Sequence, residues 1–142
     1  YSVPKIVSDF IPMHHGTTRV EYFYRKALEN ANGKTIDENA FRYPGPKPNS
    51  KETGILMLCE AIEAAVRSIK NPDIFKVEDL IDKIIKKRLD EGQLDECPLT
   101  FDDLRRIKGT VEGQTGMLPV LRGIYHIRIE YPEEQTETTV EA

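Results

Sequence analysis

Apolar residues recur at helical spacing in separate segments of the chain, and no segment alternates as a half-buried strand does. One stripe predicts an amphipathic helix from about Asn49 to Lys70, and a second predicts a helix that ends near Gly92. The first consists of Ile55, Leu58, Ile62, Val66 and Ile69, and the second of Val77, Leu80, Ile81, Ile84, Ile85 and Leu89. Because residues 55–59 are apolar all round, we expect that turn to be buried on both sides.

Polar residues ahead of apolar segments predict where other helices begin. Thr18 with Glu21, and Asn49 with Glu52, have the spacing of capping boxes. The first pair predicts a helix that ends at Asn32-Gly33. At the N-terminus we expect Ser2 to cap a helix that Pro12 breaks. Since this helix starts at once and no initiator Met precedes it, the chain is expected to be a piece of a longer one.

The C-terminal part is predicted to hold two short helices and a tail. Thr100 is expected to cap a helix through about Lys108, and a final helix is expected over 121–129. His126 lies there among apolar residues and is expected to be structural. The acidic, Thr-rich segment 132–142 is predicted to be disordered. The pattern therefore predicts an all-α domain of five or six helices over residues 1–131.

Composition narrows the function classes. The chain has 142 residues, a formal charge of -4 and 31% charged residues. Basic residues form no stripe interleaved with aromatics, so nucleic-acid binding is not expected. No apolar run is long enough to cross a bilayer, and a soluble chain is expected. Cys59 and Cys97 form no metal-spaced pair, which favours a reduced, intracellular protein.

Two adjacent histidines carry the most specific chemistry. His14 and His15 follow an apolar run and precede Gly16. Imidazole is the commonest metal ligand among side chains, so a pair at a helix end is a candidate for part of a metal site. Two ligands do not complete a site, and a partly buried helix end is the alternative interpretation.

Other candidate groups lie later in the chain. Glu60 stands opposite the main stripe of its helix, where it could face a polar site or an ion-paired surface with Glu63 and Arg67. The proline-rich segment 42–48 predicts a stiff irregular loop. It could hold a cluster of polar side chains toward an anionic ligand, or serve only as a connector. That cluster consists of Arg42, Tyr43 and Lys47.

Taken in order, several motifs resemble the C-terminal part of the cytoplasmic HD domain of the seven-transmembrane HD phosphohydrolases. They are FIPMHHGTT at 10–18, YFY at 22–24, FRYPGPKP at 41–48, SKE at 50–52, LDECPLT at 94–100 and IYH at 124–126. The resemblance covers the chain to about Pro132. It implies the later helices of an HD-type bundle.

That family is known for hydrolysing cyclic di-AMP at a two-metal site of iron or manganese. The resemblance implies that His14 and His15 bind one ion, and that Glu60 occupies the place of the family's remaining metal aspartate. Glu is one methylene longer than Asp, and the family's earlier histidines and His-Asp pair have no counterpart here. The Gly-rich stretch 109–119 is also longer than the family's helix. No catalytic side chain is identified.

The resemblance implies a parent phosphodiesterase tethered to the cytoplasmic side of the bacterial inner membrane by upstream segments. This chain alone is expected to bind metal weakly and to hydrolyse little, and a homodimer is possible. Arg42, Tyr43 and Lys47 are candidate substrate contacts on their chemistry alone. Two alternatives remain open: a non-catalytic helical module for signalling or dimerisation, and a cyclic dinucleotide sensor.

Overall fold

A computed structural model describes residues 2–70, 73–110 and 112–124, and over these ranges the chain is helical without strands. The helices are α1 (Lys5–Ser8), α2 (Phe10–Met13), α3 (Glu21–Glu29), a short 3-10 helix (Glu38–Phe41), α4 (Lys51–Arg67), α5 (Ile74–Asp90), α6 (Phe101–Lys108) and α7 (Met117–Ile124). The predicted all-α class is confirmed. His126 and the tail 132–142 lie outside the described residues. No helix in the described ranges is long and apolar enough to cross a membrane.

The hydrophobic core lies where α4 and α5 pack together, with α6 and α7 completing it. Burying these apolar side chains is the main stabilising contribution to such a bundle. The buried members are Met57, Leu58, Ile62, Val66, Val77, Ile81, Leu94, Leu104, Leu118 and Leu121. Helix α2 packs on the opposite part of α4 and brings the histidine pair to the edge of this core.

Helix α4 begins one residue later than predicted. Ser50, not Asn49, is the N-cap, and it forms a capping box with Thr53 rather than with Glu52. The packed face runs through Gly54, where an added Cβ would lie 2.8 Å from the Cys97 sulfur. That close approach sets which face is buried. Ile55 consequently remains 38% exposed, and the prediction that residues 55–59 are buried on both sides is wrong.

The predicted N-terminal helix forms as two short helices, but its boundaries differ. Pro4, rather than Ser2, precedes α1, and the interruption falls at Asp9 while Pro12 lies inside α2. Proline lacks the N–H that would donate to the Ser8 carbonyl, and its ring crowds that carbonyl. The disturbance therefore appears one turn before the proline.

The remaining helix starts agree in part with the sequence. Thr100 caps α6 and forms a capping box with Asp103. Helix α5 starts at Ile74 because Asp73 accepts a hydrogen bond from the Lys76 amide, a cap that the apolar pattern does not reveal. Helix α7 starts at Met117, with Pro119 accommodated in its first turn, and it contains Leu121 and Ile124 of the predicted final helix. The other two residues of that prediction, Tyr125 and Ile129, lie outside the described residues.

Helix α3 begins without the predicted capping box. Val20 is its N-cap, with no side-chain capping bond, and the Thr18 hydroxyl instead donates to the His15 carbonyl at 2.8 Å. The backbone of this segment pairs with the proline-rich loop: the Val20 amide donates to Phe41, and the Tyr43 amide donates to Thr18. This pairing replaces the cap and brings the loop beside the histidines.

Candidate functional site

His14 is held in one tautomer by the end of α2. Its Nδ1 lies 2.8 Å from the Phe10 carbonyl oxygen, and because a carbonyl only accepts, Nδ1 carries the proton. In the neutral ring this leaves the Nε2 lone pair available. A backbone carbonyl on the second ring nitrogen is the usual arrangement for a histidine that binds a metal ion.

His15 is packed between two rings. Its ring centroid lies 3.9 Å from that of His14 and 4.2 Å from that of Tyr43, which is nearly parallel to it at 12°. Burial lowers the pKa of His15, His14 and Arg88 lower it further, and Glu60 acts in the opposite sense. This lowering favours the neutral form of the ring, the form in which imidazole binds metals.

The turn that follows the histidines is fixed by Gln93, which lies after α5. Gln93 is 2% exposed. Its Oε1 accepts from the Thr17 amide at 3.0 Å, and its Nε2 donates to the Thr17 hydroxyl at 3.0 Å. Gly16 has φ +54, and an added Cβ there would lie 2.6 Å from Gln93 Oε1. The turn thus requires glycine and brings α5 against the histidine pair.

Sequence reasoning missed Gln93. Its partner, Thr17, is 76 residues away in the chain, and a single amide after a helix has no pattern that indicates such a contact. The only local signal is Gly92, whose φ of +63 ends α5 directly before it.

The three loop residues proposed for substrate binding have different surroundings. Tyr43 stacks on His15. The Arg42 guanidinium is engaged within the protein, donating to the Thr17 carbonyl at 3.0 Å and pairing with Glu38. The Lys47 side chain extends toward the end of α5, where its Nζ would lie 3.6 Å from a Cβ added at Gly92. The structure thus gathers all three near the turn after the histidines.

Glu60 lies on α4 at the same corner. It influences the protonation of both His15 and Arg88 electrostatically. Arg67 forms its ion pair with Glu63 rather than with Glu60. Glu60 is half-buried, and its charge acts on the pKa of His15, so a place near the histidines stays the prediction for it.

A network of ion pairs links the loop, α3 and α5 around this corner. Arg19 donates to Glu38 at 2.8 Å and to Glu21 at 3.0 Å. Glu21 also pairs with Lys87 of α5 at 2.5 Å. Burial alone would raise the pKa of Glu21, but hydrogen bonds from Lys87 and Arg19 outweigh it and lower the pKa. Arg19 also lies 4.2 Å over the Tyr24 ring.

The donor atoms suit part of a metal site. Two imidazole nitrogens and a carboxylate are ligands for borderline divalent cations, and the fixed tautomer of His14 and neutral form of His15 fit that role. However, within the described residues no group of three or more His, Cys, Asp or Glu side chains is arranged to hold an ion. The corner therefore fits a partial ligand set that other groups would complete.

Comparison with known proteins places these features in context. No family model matches the chain. Over 133 residues, 94% of this chain, it is 46% identical to the cyclic-di-AMP phosphodiesterase PgpH of Bacillus subtilis, covering 18% of that protein. The Listeria monocytogenes PgpH is 40% identical over the same share, with 17% of its length covered. An uncharacterised Synechocystis protein is 34% identical over 99% of this chain and 17% of its own length.

Two solved structures are also similar. The crystal structure of the L. monocytogenes PgpH HD domain in complex with cyclic-di-AMP matches with a TM-score of 0.76 and 40% identity, over 91% of this chain and 57% of that one. A second crystal structure of the L. monocytogenes PgpH HD domain matches with a TM-score of 0.73 and 40% identity, over 87% of this chain and 54% of that one. The chain thus spans little more than half of the solved domain.

Proposed function

We propose that this chain contributes part of a metal-dependent site for cyclic di-AMP hydrolysis in a longer parent protein. It is homologous to part of the HD domain of the cyclic-di-AMP phosphodiesterase PgpH and shares its helical fold. The observation that carries the proposal is the histidine pair. The Nδ1 of His14 is held by a backbone carbonyl and burial lowers the pKa of His15, within a fold whose solved relative is in complex with cyclic-di-AMP.

His14, His15 and Glu60 would hold one ion of the site. We propose iron or manganese, with two ions in the complete site. A divalent cation bound there supplies Lewis-acid activation of water and neutralises charge on the phosphoryl oxygens. The longer Glu60 side chain retains carboxylate oxygens for such an ion, while shifting their position relative to an aspartate.

The surrounding residues of this chain orient the ligands and meet the substrate. Tyr43 fixes the His15 ring by stacking, and Gln93 fixes the turn behind it. Tyr43 and Lys47 offer a phenol and an ammonium group to a dinucleotide. Arg42 is the weaker candidate of the three, since the Thr17 carbonyl and Glu38 already occupy its guanidinium.

The site in this chain is incomplete, so we propose that the chain alone binds metal weakly and hydrolyses little. The other ligands would come from elsewhere in the parent protein. We further propose that the parent is anchored in the inner membrane with this domain on the cytoplasmic side, that it forms a homodimer, and that residues 1–131 form the domain part of this chain.

Glu60 favours a second candidate function. A glutamate at the position of the family's metal aspartate is the change expected in a module that has lost catalysis and retains signalling, dimerisation or cyclic dinucleotide sensing. Such a module would bind cyclic di-AMP without turnover, or bind neither metal nor nucleotide.

The test compares this chain with the parent protein in the presence of manganese. We expect hydrolysis of cyclic di-AMP by the parent and little by this chain. In the parent, His14→Ala and His15→Ala should each lower bound metal and activity, whereas His126→Ala, the matched imidazole control, should lower neither. If the two variants lose only stability while metal content and activity per molecule persist, the non-catalytic module is the correct interpretation.

A further inference from the structure

Arg88 lies beside the candidate site through a chain of short contacts. The Gln93 amide donates to the Arg88 carbonyl at 2.9 Å. The Gln93 side chain in turn holds Thr17 at 3.0 Å, two residues after His15. Gln93 therefore links the last turn of α5 to the turn that carries the histidine pair.

The Arg88 guanidinium is buried but poorly satisfied. Its side chain is only 17% exposed, and its contact with Glu91 is 3.6 Å, longer than a hydrogen bond. Among the described residues, three buried side-chain atoms have no hydrogen-bond partner: Arg19 Nε, Arg88 Nε and Glu91 Oε2. A guanidinium has five donors, and a buried charge with unfilled donors is costly.

Arg19 Nε is unpaired as well, but the terminal nitrogens of the neighbouring cations make closer contacts than those of Arg88. Arg19 and Lys87 each reach a carboxylate at 3.0 Å or less, and Arg42 donates to a carbonyl as well as to Glu38. A basic residue in the last turn of a helix is stabilised by the negative end of the helix dipole. In α5 the more exposed Lys87 already makes this interaction. The position of Arg88 on the inner side is left without an explanation from helix stability.

An anion at the histidine corner would explain the arrangement. The Arg88 charge lowers the pKa of His15, and burial lowers the pKa of Arg88 itself, while the carboxylates of Glu91, Glu60 and Glu21 act on the Arg88 pKa in the opposite direction. Guanidinium remains charged in proteins, so the corner contains an incompletely paired cation next to the candidate metal ligands.

We propose that Arg88 binds a phosphate oxygen of the cyclic dinucleotide and thereby positions it at the His14–His15 pair. This inference rests on the proposed function and adds a residue that neither the motifs nor the comparisons indicate. The planar fork of arginine matches two phosphate oxygens at once, which gives orientation as well as affinity.

The test uses the metal-loaded parent protein. Arg88→Met keeps the apolar stem and removes the charge, and Arg105→Met, an exposed arginine paired with Asp102, is the matched control. We expect Arg88→Met to weaken cyclic di-AMP binding about 10- to 100-fold, since charge-assisted hydrogen bonds are lost. Inhibition by orthophosphate should weaken similarly, binding of adenosine should not change, and bound metal should stay at the level of Arg105→Met.

Unchanged affinity for cyclic di-AMP and orthophosphate in a folded Arg88→Met protein would overturn the inference and leave Arg88 a structural residue. If that variant does not fold, Arg88→Lys decides: weaker phosphate inhibition at an unaltered melting temperature supports the proposal, and unaltered inhibition refutes it. Failure of the unsubstituted parent to bind or hydrolyse cyclic di-AMP would instead reject the proposed function itself.

Discussion

Replacing Gln93 by leucine tests whether the contact between α5 and the histidine turn stabilises the fold. Gln93 is 2% exposed, and leucine has a similar volume, so the change removes polar contacts without opening a large cavity. It deletes the acceptor of the Thr17 amide and the donor to the Thr17 hydroxyl, both at 3.0 Å. Thr17→Val removes the hydroxyl from the other side.

The expected loss follows from these two contacts. A neutral hydrogen bond contributes about 1 kcal/mol, and a buried N–H left without an acceptor costs about 1–3 kcal/mol. The free energy of unfolding should therefore fall by about 2–4 kcal/mol in Gln93→Leu. With an unfolding entropy of about 2.1 cal/mol/K per residue over the 142 residues, the melting temperature should fall by about 7–13 °C.

The assay is urea and thermal unfolding of this chain, completed as a double-mutant cycle. Gln93→Leu and Thr17→Val should couple by about 1 kcal/mol, because each removes one partner of the same hydrogen bond. Thr35→Val is the control, since Thr35 is exposed and such changes usually alter stability by less than about 0.5 kcal/mol. A loss in Gln93→Leu no larger than that of the control, or additive effects in the cycle, would refute the reasoning.

Two further predictions use other features of the fold. Gly16→Ala should destabilise the chain by about 2–4 kcal/mol more than Gly33→Ala in urea unfolding, because both have positive φ but only Gly16 lacks space for a Cβ; equal losses would contradict this. Lys51 lies 2.7 Å from Asp103 and holds the pKa of that carboxyl far below its usual range, so this stabilisation is present above pH 4 and is lost as the pH falls. In Asp103→Asn the free energy of unfolding should depend less on pH below about pH 4, whereas Asp79→Asn, at an exposed surface pair, should leave the pH dependence as it is. The same pH dependence in Asp103→Asn as in the unsubstituted chain would contradict a stabilising role of the Lys51–Asp103 pair.

The sequence predicts which helices form in this fold better than the residues at which they begin and end. Apolar periodicity identifies α4 and α5 because their buried stripes repeat over four turns. It misplaces the α4 cap by one residue, since both Asn49 and Ser50 can cap, and in the structure the capping box forms between Ser50 and Thr53. At α3, backbone pairing with a loop that is distant in sequence replaces the predicted cap.

In the candidate site, too, motifs of adjacent residues can be predicted from the sequence, whereas contacts between distant residues cannot. The histidine pair and the Tyr43 loop can each be identified from adjacent residues in the sequence. The stacking of Tyr43 on His15 cannot, because it depends on backbone pairing between the loop and residues 18–20. Glu60 illustrates the point from α4: its helical position was compatible with a site or a surface. The structure adds that Arg67 pairs with Glu63, and the place of Glu60 in a site stays a prediction.

Thr17 shows why the histidine corner depends on the whole domain. Its carbonyl accepts from Arg42 of the loop, while its amide and hydroxyl are held by Gln93 after α5. The turn is thus fixed from two sides by segments that are themselves joined through Glu38, Arg19, Glu21 and Lys87. The hydrogen bonds from Arg42 and Gln93 both hold the backbone of Thr17, two residues after His15. The position of the imidazoles is therefore set by contacts within the protein. A metal ion that binds them would therefore meet a largely preorganised pair, and ordering of this turn is not a cost that metal binding has to offset.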